Sequence, residues 1–248
     1  MAVNLFKVVL VVIHVIFDIY AEARRLFRYA IQYFEDFCFG PWGLKAELDY
    51  VHRNKAPLTK PMSHIAVILG SEVVSIKDIV RIALWSHAAG ASYVSFYDHS
   101  GKLKKCKSAL DEALTSECQP KSHIPRTNGY KNGIAGKQYP HVMLFDITDG
   151  KAGIARIARE LCEKALAKEI THNDINLKFL NEIVLREAGV PEPELGIYCG
   201  DICSTYGFLP WHSRITEFLP ISSHHNVSVR TFVSVLRRFN KCEQRLGT

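Results

Sequence analysis

The chain has 248 residues, of which 48% are apolar and 23% charged, and a formal net charge of +6. That composition excludes a disordered chain and allows one domain of about 200 residues plus a short appendage; the basic excess suits an anionic partner without choosing among a diphosphate, a nucleic acid and an acidic lipid surface. Seven cysteines at irregular spacing exclude a small secreted disulfide framework and paired zinc knuckles, and read as reduced thiols facing cytosol.

At the N-terminus, Val8 to Phe17 reads VVLVVIHVIF, an apolar run interrupted by His14. Extending it to the roughly 20 residues of a bilayer span takes in Lys7 and Asp18, so it is a weak spanning segment. No small-x-small cleavage site follows, which favours an uncleaved anchor. Beyond it, Leu26, Tyr29, Ala30, Tyr33, Phe34 and Phe37 recur at helical spacing behind Arg24, Arg25 and Arg28, up to Gly40-Pro41. This pattern predicts an amphipathic helix lying at the membrane interface, with a buried helix of the core as the alternative. The three arginines after the apolar run, against Lys7 before it, place the main domain on the cytoplasmic side. Residues 1–43 are thus expected to be a membrane anchor and 44–248 the main domain.

The main domain alternates strand and helix signals. His64 to Leu69 is a buried-strand run, Ser75-Ile-Lys-Asp78 resembles a capping box, Gly90 closes that helix, and Tyr93 to Tyr97 is a second strand, giving a parallel βαβ unit. Lys102 to Cys118 reads as a helix. The stretch 118–140 holds no Asp or Glu but many Pro, Gly and Asn residues, and reads as a mobile loop. A third strand follows at His141 to Asp146, then a helix from Lys151 to about Lys168, another from about Asp174 to Ala188, and a fourth strand at Leu195 to Cys199. Phe208 to Trp211 forms an aromatic corner, and Ser228 caps a last helix carrying Val229, Phe232, Val233, Leu236 and Phe239 on one face. The fold class is α/β, with a mainly parallel central sheet flanked by helices.

Autonomous chemistry is hard to find. Asp98-His99-Ser100 has triad residue types, but adjacent side chains diverge, so a strand-end turn is the better reading. His224-His225 reads as exposed polar loop, with no metal expected. Cys199 and Cys203 read as structural, and no nucleotide-cradling glycine motif occurs.

Several segments in order do resemble the undecaprenyl/dehydrodolichyl diphosphate synthase superfamily, and in wording its Nogo-B receptor branch: His64-Ile-Ala-Val-Ile-Leu-Gly70, Tyr97-Asp-His-Ser-Gly101, Asp149-Gly-Lys151, Pro193 to His212 with its Gly207-Phe-Leu-Pro-Trp-His ending, and Cys242-Glu-Gln-Arg-Leu-Gly247. The resemblance covers 64–248 and implies a cis-prenyltransferase-like fold. Catalytic members carry an Asp and an Arg-Trp pair after the first strand, where this chain has Gly70-Ser-Glu-Val-Val74. They carry two arginines where Tyr198 and Ser204 stand here. Glu217 matches a glutamate used near magnesium, but with its Asp counterpart gone it reads as structural.

The resemblance therefore implies a non-catalytic subunit of a heteromeric ditrans,polycis-polyprenyl diphosphate synthase, serving dolichol synthesis and protein glycosylation at the endoplasmic reticulum membrane. Its implied partners are a catalytic dehydrodolichyl diphosphate synthase subunit, isopentenyl and allylic diphosphates, and membrane lipid through the N-terminus, with no nucleic acid. Mg²⁺ is expected mainly on the catalytic partner. The tail 245–247 is implied to complete the partner's active site, with Arg245 and Gly247 acting on a diphosphate and Leu246 between them. An Arg forks onto phosphate and a Gly lets the backbone approach it. Phe208, Trp211 and Phe218 are interface candidates. A self-sufficient homodimeric prenyltransferase and a receptor or scaffold module are the competing readings.

Overall fold

A computed structural model describes residues 2–39, 43–55, 59–118 and 140–242. Residues 119–139, the body of the expected loop, lie outside the described residues. The chain divides into two units, Met1–Lys45 and Ala46–Thr248.

In the first unit, helix α1 (Ala2–Phe39) joins the apolar run and the amphipathic stretch without a break. His14 keeps its ring inside the helical hydrogen-bond economy by donating from Nδ1 to the Leu10 carbonyl at 2.8 Å. Apolar side chains from Leu5 to Tyr20, then Leu26, Phe27 and Phe34, are exposed. No helix among the described residues is long and apolar enough to cross a membrane.

The second unit is built on a five-stranded, wholly parallel sheet of order β3-β2-β1-β4-β5, comprising β1 (His64–Ile68), β2 (Tyr93–Tyr97), β3 (His141–Phe145), β4 (Leu195–Cys199) and β5 (Glu217–Ile221). Central β1 and β4 are buried along their whole length, which is why their sequences are continuous apolar runs rather than alternating ones. Strand β5 was not foreseen. Its Pro220 reads as a strand breaker, yet β5 is an edge strand, where a missing N–H is tolerated.

Helix α2 (Leu44–Lys55), also unforeseen, is held by a buried ionic contact: Arg81 donates to Glu47 at 2.5 Å and Trp85 Nε1 donates to the same carboxylate at 3.1 Å. Arg81 and Trp85 belong to α3 (Ile76–Ala89), which is capped by Ser75 and ended by Gly90 in the left-handed conformation, as the sequence suggested. The expected helix 102–118 is two pieces, α4 (Lys102–Lys105) and α5 (Lys107–Cys118), parted at Cys106. Helix α6 (Lys151–Leu166) precedes α7 (Leu177–Ala188), which starts later than expected because Asn176 is its cap, while Asp174 closes a turn onto Thr171. Helix α8 (Val229–Lys241) is capped by Ser228 and buries Val229, Phe232, Val233, Leu236 and Phe239, with Phe232 against Trp85 at 5.6 Å between ring centroids.

The chain runs outward from β1 through β2 to β3, then returns beside β1 as β4. The order therefore reverses between β1 and β4, and in open parallel sheets that reversal opens a crevice at the carboxyl ends of the two strands.

Candidate functional site at the carboxyl ends of the strands

At the β1/β4 crevice the residues that leave the strands are Gly70 and Gly200, both with positive φ. Gly70, at φ 68°, stands where the sequence resemblance places an Asp, and a Cβ there would lie 3.4 Å from the Cys199 carbonyl and the Tyr206 ring. Tyr198, in place of the first arginine, is buried, and burial raises its hydroxyl pKa. Ser204 accepts from the Tyr206 amide at 3.2 Å. Aromatic side chains pack beside the crevice. Tyr97 donates to the Tyr206 carbonyl at 2.6 Å, Phe208 stacks edgewise on Tyr97 at 5.7 Å, and His99 reaches the same carbonyl at 3.1 Å. Burial, with the charges of Asp146, Asp149 and Asp98 behind it, pushes the Tyr97 hydroxyl up to about 12, so it stays a donor.

The neighbouring turns are structural. Asp98 accepts from the Ser100 amide and hydroxyl and from the Leu103 amide, which outweighs burial and holds its carboxyl low. This is the strand-end turn expected for Asp98-His99-Ser100. Lys104 is paired with Asp146 at 3.2 Å and with Asp149. Gly150 touches Gly207 so closely that a Cβ on Gly150 would lie 2.3 Å from the Gly207 carbonyl oxygen. The segments 97–101, 149–151 and 207–212 that carried the resemblance are thus packed on one another.

Of the interface candidates, Phe208 is wholly buried inside the domain. Trp211 is half-buried on Ile157, Leu161 and Val184 and donates from Nε1 to Asn181 at 3.0 Å; Phe218 is half-buried against the core beside Gly196. Arg245, Leu246 and Gly247 lie outside the described residues.

Three histidines are buried among the described residues, His64, His212 and His224. His64 bridges strands: its Nδ1 donates to the Pro191 carbonyl at 2.7 Å and its Nε2 accepts from Ser95 at 2.6 Å, while burial lowers its pKa to about 4. The expectation that His224-His225 is an exposed loop is corrected. His224 is fully buried, donating from Nδ1 to Glu72 at 2.7 Å and accepting at Nε2 from the Ser75 amide at 3.2 Å, and the His225 ring lies 4.1 Å from its own. The partner that buries His224 is 152 residues away in sequence, beyond the reach of any local motif.

A magnesium site of the superfamily kind does not fit these residues. Gly70 supplies no carboxylate, and Glu217 opens β5 at the opposite end of the sheet, where burial and then the Glu217 charge push the Cys242 thiol up. Among the described residues, the group able to surround an ion is Glu72, His224 and His225, with two imidazoles and one carboxylate.

No protein-family model matches the chain. It is 35% identical over 181 residues to a human protein named dehydrodolichyl diphosphate synthase complex subunit NUS1, covering 70% of this chain and 61% of that one. The mouse counterpart is 34% identical over 200 residues, covering 77% of this chain and 67% of the relative, and the fission yeast counterpart is 25% identical over 218 residues. Among solved structures, lavandulyl diphosphate synthase from Lavandula x intermedia superposes with a TM-score of 0.53 at 13% identity, covering 74% of this chain and 97% of that one, a likeness of fold.

Proposed function

The chain belongs to the NUS1 family of dehydrodolichyl diphosphate synthase complex subunits, and from that premise we propose that it is the non-catalytic member of such a complex, completing the active site of a catalytic partner. The observation that supports this reading is the set of residues at the carboxyl ends of β1 and β4. Condensing isopentenyl diphosphate onto an allylic diphosphate needs cationic donors around the leaving diphosphate. Here Gly70, Tyr198 and Ser204 stand where the resemblance places the Asp and the two arginines, so this crevice offers neither that carboxylate nor those cations.

Mg²⁺ belongs to the partner in this account, where it neutralises diphosphate charge when bound. This chain's own contribution is the tail. Arg245 supplies a fixed cation and a forked donor, and Gly247 leaves its backbone N–H open to a phosphate oxygen. The part-exposed faces of Trp211 and Phe218 suit the subunit contact, since large aromatics anchor interfaces. Exposed apolar side chains along α1 support lipid association, with the main domain on the cytosolic face of the endoplasmic reticulum. The test is prenyl transfer measured with each subunit alone and with both together. Activity in the mixture alone is expected; turnover by this chain alone would overturn the reading.

A further inference from the structure

The pair His224 and Glu72 would be a complete structural contact by itself, one imidazole N–H on one carboxylate. What that contact leaves unexplained is His225. Its ring is half-buried, lies 4.1 Å from that of His224 at an interplanar angle of 39°, and offers a third donor atom to the same spot: one donor atom from each of Glu72, His224 and His225 falls within 4.8 Å of the others. The Glu72 carboxylate is already fixed in place. Its Oε2 accepts from Ser223 Oγ at 2.9 Å, from the His224 amide at 3.3 Å and from His224 Nδ1 at 2.7 Å. Ser223 Oγ in turn accepts from the His225 amide at 3.0 Å, which orients the residue carrying the third donor. A carboxylate held by hydrogen bonds from outside the donor set is the arrangement that keeps a metal ligand pointed at its ion.

We propose that Glu72, His224 and His225 form a zinc site that clips the loop after β1 to the loop after β5. Two imidazole nitrogens and one carboxylate oxygen are a donor set for a borderline-soft dication, and three protein ligands with an open fourth position are a recurrent zinc arrangement. Magnesium is a poor occupant, because it takes oxygen donors in octahedral geometry. Tetrahedral bonds of about 2.0–2.1 Å place donor atoms roughly 3.3–3.4 Å apart, so the His224 to Glu72 separation opens slightly and the wider ones close by at most about 1.5 Å. Rotations of the Glu72 and His225 side chains supply that movement.

Binding moves the ring proton of neutral His224 from Nδ1 to Nε2, which frees the Nδ1 lone pair for the ion, and the 3.2 Å bond from the Ser75 amide is the contact given up. The consequence is mechanical. Glu72 precedes Ser75, the cap of α3, and His225 lies just before Ser228, the cap of α8. An ion between them ties the starts of both helices together, and α8 is the helix from which the chain continues to Arg245.

The test uses the untagged full-length chain in detergent, stripped with a chelator and titrated with Zn²⁺ in competition with a chromophoric chelator. One equivalent of Zn²⁺ is expected, with a rise in melting temperature and, on Co²⁺ replacement, the intense visible bands of a tetrahedral ion. A large excess of Mg²⁺ should not displace it. Glu72→Gln and His225→Ala should each weaken affinity by at least tenfold and abolish the Zn²⁺-dependent rise in melting temperature. His225 is part-exposed and makes no side-chain bond that the core depends on, so the His225→Ala protein should melt normally without metal and carries the test should Glu72→Gln fold poorly. Binding of Zn²⁺ at wild-type affinity in His225→Ala, or no stoichiometric binding by the wild type, would overturn the proposal.

Discussion

Replacing Gly150 by Ala should damage the domain more than any other single methyl added to a turn. The new Cβ would sit 2.3 Å from the Gly207 carbonyl oxygen, a separation that real side chains do not adopt, and both partners are backbone. One segment must move by about 1 Å, and a forced shift in packed surroundings costs roughly 1–3 kcal/mol. The upper end applies, because the Gly207 turn also carries the Tyr206 carbonyl that holds Tyr97 and leads directly into buried Phe208. At about 2–4 °C per kcal/mol for a domain of this size, the melting temperature should fall by about 6–12 °C. Gly153 is the control. A Cβ there meets only the Thr148 carbonyl, at 3.5 Å, in an α6 position where Ala outperforms Gly by up to about 1 kcal/mol. Calorimetry on both variants should give shifts of opposite sign. Equal melting temperatures for Gly150→Ala and wild type would refute the claim that the Gly150 and Gly207 turns form a tightly packed joint.

His64 predicts a pH dependence. Its folded pKa of about 4 lies below the usual 6.5, so its contribution is fully present above pH 6.5 and is lost as pH falls toward 4. Between about pH 7.5 and about pH 5 this amounts to roughly 2 kcal/mol, and a melting temperature that does not fall over that range would contradict it. Gly70→Asp should not create a catalyst: at φ 68° a side chain costs about 1 kcal/mol, so the variant should melt slightly lower and still show no prenyl transfer on its own. Deleting residues 1–43 should release the protein from liposomes in a flotation assay while preserving subunit pairing; loss of pairing would move the interface into the N-terminal unit.

The fold was legible wherever local chemistry decides it. Buried parallel strands require unbroken apolar runs, and Ser75, Gly90 and Ser228 mark helix ends by hydrogen bonds within a few residues. What escaped depends on distance. Helix α2 is polar and is held by Arg81 and Trp85, 34 and 38 residues on, and β5 hides its strand character behind Pro220 because an edge position forgives it. The candidate site divides the same way. The resemblance that sets Gly70, Tyr198 and Ser204 against an Asp and two arginines is read from the sequence, whereas the Tyr97 to Tyr206 contact and the burial of His224 on Glu72 arise across more than 100 residues.

The measurement that bears most directly on the account is the turnover of the co-purified complex carrying Arg245→Ala, at saturating Mg²⁺, beside Gly247→Ala. A charge-assisted bond to phosphate is worth roughly 1.5–3 kcal/mol, so loss of Arg245 should lower kcat by about one to two decades. Assembly and melting temperature should stay near those of the wild type, because a helix-end charge that merely complements the dipole would shift stability and leave kinetics alone. Wild-type kcat and KM in both variants would contradict the claim that this chain's tail completes its partner's active site.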